Sequence, residues 1–102
     1  MKATFHEAAD AELLEAISYY DAKANGLGDR LLAEVKSAAR IIEQYPEIAP
    51  EIEDGVRAKV LLEFPYSLMY VVATDGLFIL AVAHHSRRPR YWADRLPSKP
   101  IA

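Results

Sequence analysis

Apolar residues recur at helical spacing in the first half of the chain and at strand spacing in the second. From Glu7 to about Asn25, Leu13, Ile17 and Tyr20 fall on one helical stripe, widened by Leu14 and Ala16. Glu7, Asp10 and Glu12 lie in the first turns, where the positive end of the helix dipole favours them. Asn25-Gly26 is a stop signal, because glycine takes the left-handed conformation without strain. A second helix is predicted from about Leu27 to Tyr45, with Leu27, Leu31, Val35, Ala38, Ile42 and Tyr45 in one stripe. Pro46 ends it. The short connection predicts an antiparallel helical hairpin.

The pattern then changes period. Lys2–His6, ahead of the helices, predicts a short first strand. Glu47–Gly55, with Pro50 and a cluster of acids, reads as a loop. Over Val56–Glu63 the residues alternate, with Val56, Ala58, Val60 and Leu62 on one face and Arg57, Lys59, Leu61 and Glu63 on the other. Phe64-Pro65 predicts a bend. Tyr66–Thr74 is β-branched and aromatic, Asp75-Gly76 is a hairpin turn signal, and Leu77–Ala83 follows as a strand apolar on both faces. The predicted fold is α+β in the order β-α-α-β-β-β, a helical hairpin packed on a small, largely antiparallel sheet of three or four strands. Both sheet faces carry apolar residues, among them Leu61, Met69, Val71 and Ile79. The side away from the helices therefore needs a cover, either the C-terminal tail or another chain.

Length and composition narrow the picture. A chain of 102 residues is expected to form a single domain, residues 1–102. It has no cysteine, which excludes disulfides, thiolate catalysis and zinc-thiolate sites and suits a reducing cytoplasm. Met1–His6 does not have the make-up of a signal peptide, and no apolar run reaches the roughly 20 residues of a membrane span. The net charge of −3 hides a division. Residues 1–55 carry five Lys/Arg against twelve Asp/Glu, and residues 56–102 carry seven against three. The halves thus balance at −7 and +4, and binding follows the local field rather than the sum.

The basic half is concentrated where the last strand ends. His84-His85-Ser86-Arg87-Arg88-Pro89-Arg90-Tyr91-Trp92-Ala93-Asp94-Arg95 holds four arginines, two of the three histidines and the one tryptophan. Such a segment suits an anionic partner, phosphate or carboxylate. On a continued strand, His84 would share a face with Phe78, Leu80 and Val82, and His85 the other with Leu77, Ile79 and Ala81. The preceding hairpin is expected to bring Arg57 or Lys59 towards Arg87 and Tyr91. Histidine for proton exchange, arginine for an anionic phosphorane and tyrosine for stacking or hydrogen bonding would together serve phosphodiester transfer. The same residue types equally make salt-bridged packing. No glycine-rich phosphate loop, metal-ligand spacing or suggestive setting for Ser18, Ser37, Ser67, Ser86 or Ser98 is present, so no cofactor and no metal are expected.

The chain resembles the RelE/ParE superfamily of toxins from type II toxin–antitoxin modules, in particular the ParE-like, plasmid-stabilisation branch. The resemblance runs from Phe5, Ala9 and Leu13 through Ala16-Ile17-Ser18-Tyr19-Tyr20, Leu27-Gly28, Glu34-Val35, Ile41-Ile42, Pro46 and Pro50. It continues with Val56-Arg57, Phe64-Pro65-Tyr66 and Tyr70. It closes with Ala81-Val82-Ala83-His84, Arg87, Pro89, Tyr91-Trp92 and Arg95.

This resemblance implies a toxin held by a cognate antitoxin whose acidic C-terminal segment, disordered until bound, wraps it. It offers two toxic outcomes: inhibition of DNA gyrase by binding, or ribosome-dependent cleavage of mRNA. For cleavage the candidate catalytic residues are Arg57, His84, Arg87 and Tyr91. For antitoxin or target binding they are Arg57, Lys59, His85, Arg87, Arg88, Arg90, Trp92 and Arg95. The His-x-x-Arg-x-Pro-x-Tyr-Trp-x-x-Arg ending resembles the gyrase-inhibiting branch more closely. Trp92 and Arg95 serve equally well as an aromatic plug and a charge pinning the tail to the sheet. A relative that keeps the antitoxin but has lost toxicity is the third expectation.

Overall fold

The computed structural model describes residues 1–97. Ser98 lies outside them. Strand β1 (Ala3–Phe5) leads into helices α1 (Glu7–Lys23) and α2 (Leu27–Gln44). Strands β2 (Glu51–Glu53), β3 (Val56–Val60), β4 (Tyr66–Ala73) and β5 (Gly76–His84) follow, and a short 3₁₀ turn covers Ala93–Arg95. The sheet order is β1-β5-β4-β3-β2. All neighbours are antiparallel except β1 and β5, which run parallel. The α+β class and the β-α-α-β-β-β core match the sequence expectation. The difference is β2: the Glu47–Gly55 segment contains a three-residue edge strand, so the sheet has five strands. Its Glu-Ile-Glu sequence carries no strand pattern and is recruited by pairing with Arg57 and Val56 of β3.

The helix ends follow local chemistry. His6 caps α1: its Nδ1 accepts the Ala8 N–H at 3.0 Å, so Nδ1 is the unprotonated ring nitrogen. Gly26 takes φ +84 at the N-cap of α2, which turns the chain back on itself. The helices meet at Gly28, where a Cβ would stand 2.6 Å from the Ile17 carbonyl oxygen.

Two apolar clusters flank the sheet. Between helices and sheet lie Ala9, Ala16, Leu31, Val35, Ala38, Ile42, Leu68, Tyr70, Leu77, Ile79 and Val82, with Leu13, Ile17 and Tyr20 packed against them. Leu14 and Tyr45, placed on the stripes from sequence, are instead 68% and 62% exposed. They sit at the stripe margins, beyond the reach of the narrow sheet. The opposite face holds Val56, Ala58, Met69, Val71, Leu80, Ala81 and Ala83, roofed by Trp92 with Tyr91, Ala93 and Leu96. The tail therefore supplies a cover for that face.

A bulge re-aims the end of β5. Met69 pairs with Ala81 and Tyr70 with Ile79, leaving Leu80 as the extra residue. The side chains beyond it change face. Leu80, Ala81 and Ala83 pack under the tail, whereas Val82 joins Leu77 and Ile79 against the helices. His84 accordingly continues the Leu77, Ile79 and Val82 side, not the Phe78 and Leu80 side expected from simple alternation. The two histidines still diverge, as the sequence led one to expect.

Candidate functional site

Beyond β1, the outer edge of β5 has lost its strand partner, and its backbone groups need others. Glu12 and Arg95 provide them. The Val82 N–H donates to Glu12 Oε1 at 3.0 Å, and Arg95 donates to the Leu80 carbonyl at 3.1 Å. Arg95 also forks onto the Glu12 carboxylate at 2.9 and 3.1 Å, and the Tyr91 hydroxyl donates to Glu12 Oε2 at 2.7 Å. Glu12 thereby ties α1, β5 and the tail together. Burial, reinforced by the hydrogen bond to the Glu12 carboxylate, raises the Tyr91 phenol well above its ordinary pKa. The hydrogen bonds that Arg95 itself donates to Glu12 raise the Arg95 pKa as well. Sequence reasoning placed Glu12 only as a dipole partner; its long-range role has no local signature.

Two grooves open on either side of this strand end. The larger, about 760 Å³, lies on the tail-covered face. Ala58, Met69, Ala83 and Trp92 form an apolar floor. Ile52 and Glu53 of β2 and Asp54 of the turn after it supply one wall, and the segment from Arg87 to Tyr91 supplies the other. His85 hydrogen-bonds Ser67 at 3.0 Å in the same groove. A bridge spans it: Arg90 Nε donates to Glu53 Oε1 at 2.7 Å and Nη2 to Oε2 at 3.0 Å. The hydrogen bond from Arg90 holds the Glu53 carboxyl below its ordinary pKa. The smaller groove, about 250 Å³, lies on the helix side and is lined by Glu12, Glu15, Tyr19, Tyr66, His84 and Arg87 among others.

The expected catalytic set is only partly assembled. His84 and Arg87 line both grooves. The Arg87 guanidinium stacks 3.9 Å from the Tyr91 ring centroid. The His84 ring packs edge-on to Tyr66 with centroids 5.0 Å apart. His84 Nδ1 accepts both the N–H and the hydroxyl of Ser86, at 3.0 and 2.7 Å. Arg57 does not join them. β4 stands between β3 and β5, and the Arg57 guanidinium turns to the Glu47 and Ala49 carbonyls at 3.2 and 2.7 Å. Lys59 lines a separate hollow with Ile41 and Ile48. The expectation that Arg57 or Lys59 approaches Arg87 and Tyr91 is therefore corrected: pairing in register placed them on the far side of the sheet.

Of the remaining binding candidates, His85, Arg87, Arg88 and Arg90 stand exposed along the larger groove. Trp92 is 3% exposed and reaches the groove only as part of its floor. Arg95 is turned inward to Glu12. Among the described residues no cluster of His, Cys, Asp and Glu is arranged to hold a metal ion, and no helix is long and apolar enough to cross a membrane.

Comparison with known proteins gives a family and solved structures of similar fold. No curated protein matches significantly. A solved structure of the chromosomal ParDE TA system from P. aeruginosa aligns with a TM-score of 0.62 at 19% identity, covering 82% of this chain and 95% of that one. This likeness shows the shared fold. The family model described as "ParE toxin of type II toxin-antitoxin system, parDE" matches residues 3–89, which takes in both helices and all five strands and stops just before Arg90. The chain therefore belongs to the ParE toxin family of type II toxin–antitoxin systems.

Proposed function

We propose that this toxin acts in the cytoplasm by binding, with DNA gyrase as its target, and that a cognate antitoxin neutralises it through an acidic C-terminal segment. The observation that favours binding over catalysis is how the strand-end groups are engaged. The Tyr91 hydroxyl is held by Glu12, the Tyr91 phenol resists ionisation, Arg57 lies across the sheet, and His84 Nδ1 is occupied by Ser86. General acid–base chemistry needs such groups within reach of one reacting phosphate. Recognition of an acidic segment needs only an exposed row of cations beside an apolar floor, which the larger groove offers.

A supercoiling assay with purified gyrase tests this reading. Supercoiling is expected to fall as the toxin is titrated in, and to recover when the protein encoded beside this gene is added. His84→Ala and Tyr91→Phe are expected to inhibit as the parent does. Undiminished supercoiling at saturating toxin rejects gyrase as the target. Ribosome-dependent mRNA cleavage that disappears in both variants would replace binding with endonuclease action.

A further inference from the structure

The bridge across the larger groove joins two residues 37 positions apart, Glu53 on β2 and Arg90 after β5. It closes the span between the walls, above the floor formed by Ala58, Met69 and Trp92. Arg90 takes φ +59, the one positive φ outside glycine among the described residues. A side chain makes this conformation costly, so its surroundings must hold it. The two-pronged contact to Glu53 is such a hold. Yet the pair is open to solvent, with Arg90 59% and Glu53 27% exposed, so water and a competing carboxylate can both reach it.

The rest of the groove has cations without carboxylate partners. Arg88 makes no ion pair among the described residues, and Arg87 is stacked on Tyr91 instead. Acidic groups line only the β2 end, where Asp54 stands beside Glu53. The charge is thus arranged for an acidic chain lying along the Arg87–Arg90 wall with an apolar side chain on the floor.

We propose that Glu53 is an internal stand-in for a partner carboxylate, and that the Glu53–Arg90 pair is a latch. An acidic peptide segment with apolar anchors opens it by taking the Arg90 fork for itself. That this segment belongs to an antitoxin rests on the function proposed above; the latch does not.

The test uses the full-length toxin and a fluorescein-labelled peptide of alternating Glu and Leu, with Gln-Leu and Lys-Leu peptides and oligouridylate as comparisons. The Glu-Leu peptide alone is expected to bind, and less tightly as salt rises. Glu53→Gln frees Arg90 and should tighten binding by about 3- to 10-fold. Arg90→Gln should change little in the parent but cancel the gain in Glu53→Gln. Glu51→Gln, which removes a neighbouring charge from β2, should leave affinity unchanged. The latch is overturned if Glu53→Gln binds no more tightly than the parent, if Glu51→Gln tightens binding equally, or if Arg90→Gln has the same effect in both backgrounds. Equal or better binding of oligouridylate or the Lys-Leu peptide rejects the acidic segment as the occupant. Because gyrase takes no part, failure of gyrase inhibition leaves these outcomes untouched.

Discussion

At the scale of single residues, Glu12 organises the strand end. Its carboxylate meets an N–H, a phenol and a guanidinium, and its side chain and that of Arg95 are only 14% and 15% exposed. Glu12→Gln leaves Arg95 half-paired in a poorly solvated place, and is expected to cost about 2–3 kcal/mol in urea unfolding at pH 7. Tyr91 adds a pH dependence of known sign. Its folded pKa is raised above the unfolded value near 10, so its contribution is complete below that pH and is lost as pH rises through the folded value. Tyr91→Phe removes this term. Stability measured at pH 8 and pH 11 should therefore fall less steeply for Tyr91→Phe than for the parent, and parallel declines would contradict the role given to the phenol. The strand-end cations were legible in the sequence because they are contiguous. Glu12 was not, because its partners lie 70 to 83 residues away and no periodicity connects them.

At the scale of elements, local signals worked where they are strong. The Asp75-Gly76 turn, the Pro46 stop and the change from helical to strand period each mark a boundary that the backbone alone enforces. They failed where pairing overrides propensity: β2 is a strand because β3 holds it, and the Leu80 bulge shifts the faces of β5 without a glycine to announce it. Arg57 was misplaced for the same reason, since sequence gives alternation but not which strand lies between. The helical hairpin depends on one small residue. Gly28 donates its N–H to Asp21 at 2.8 Å, and a Cβ there would lie 2.6 Å from the Ile17 carbonyl oxygen, which is backbone and cannot swing aside. Gly28→Ala gains helix propensity but must separate α1 from α2. A net loss of about 1–3 kcal/mol is expected, read as a lower urea midpoint. A variant as stable as the parent would mean that the helices part without cost.

At the scale of the whole molecule, the sheet is a layer between two unlike covers. An acidic helical hairpin packs on one side, and a short basic tail held by Glu12 and Glu53 packs on the other. The helical cover is secured by extensive burial. The tail cover depends on Trp92, which is 3% exposed and buried in one apolar cluster with Val56, Ala58, Met69, Leu80 and Ala81. Trp92→Ala should therefore do two separable things. It removes a large buried side chain, with an expected loss of about 3–5 kcal/mol in equilibrium unfolding. It also uncovers apolar sheet surface and the groove floor, so the folded variant should bind a hydrophobic dye that the parent does not. Trp92→Phe keeps most of the area and should recover most of the stability. If Trp92→Ala unfolds within about 1 kcal/mol of the parent and binds no dye, the face is covered by something other than this tail. The ion pairs at Glu12 and Glu53 would then not be the fastenings of a second core.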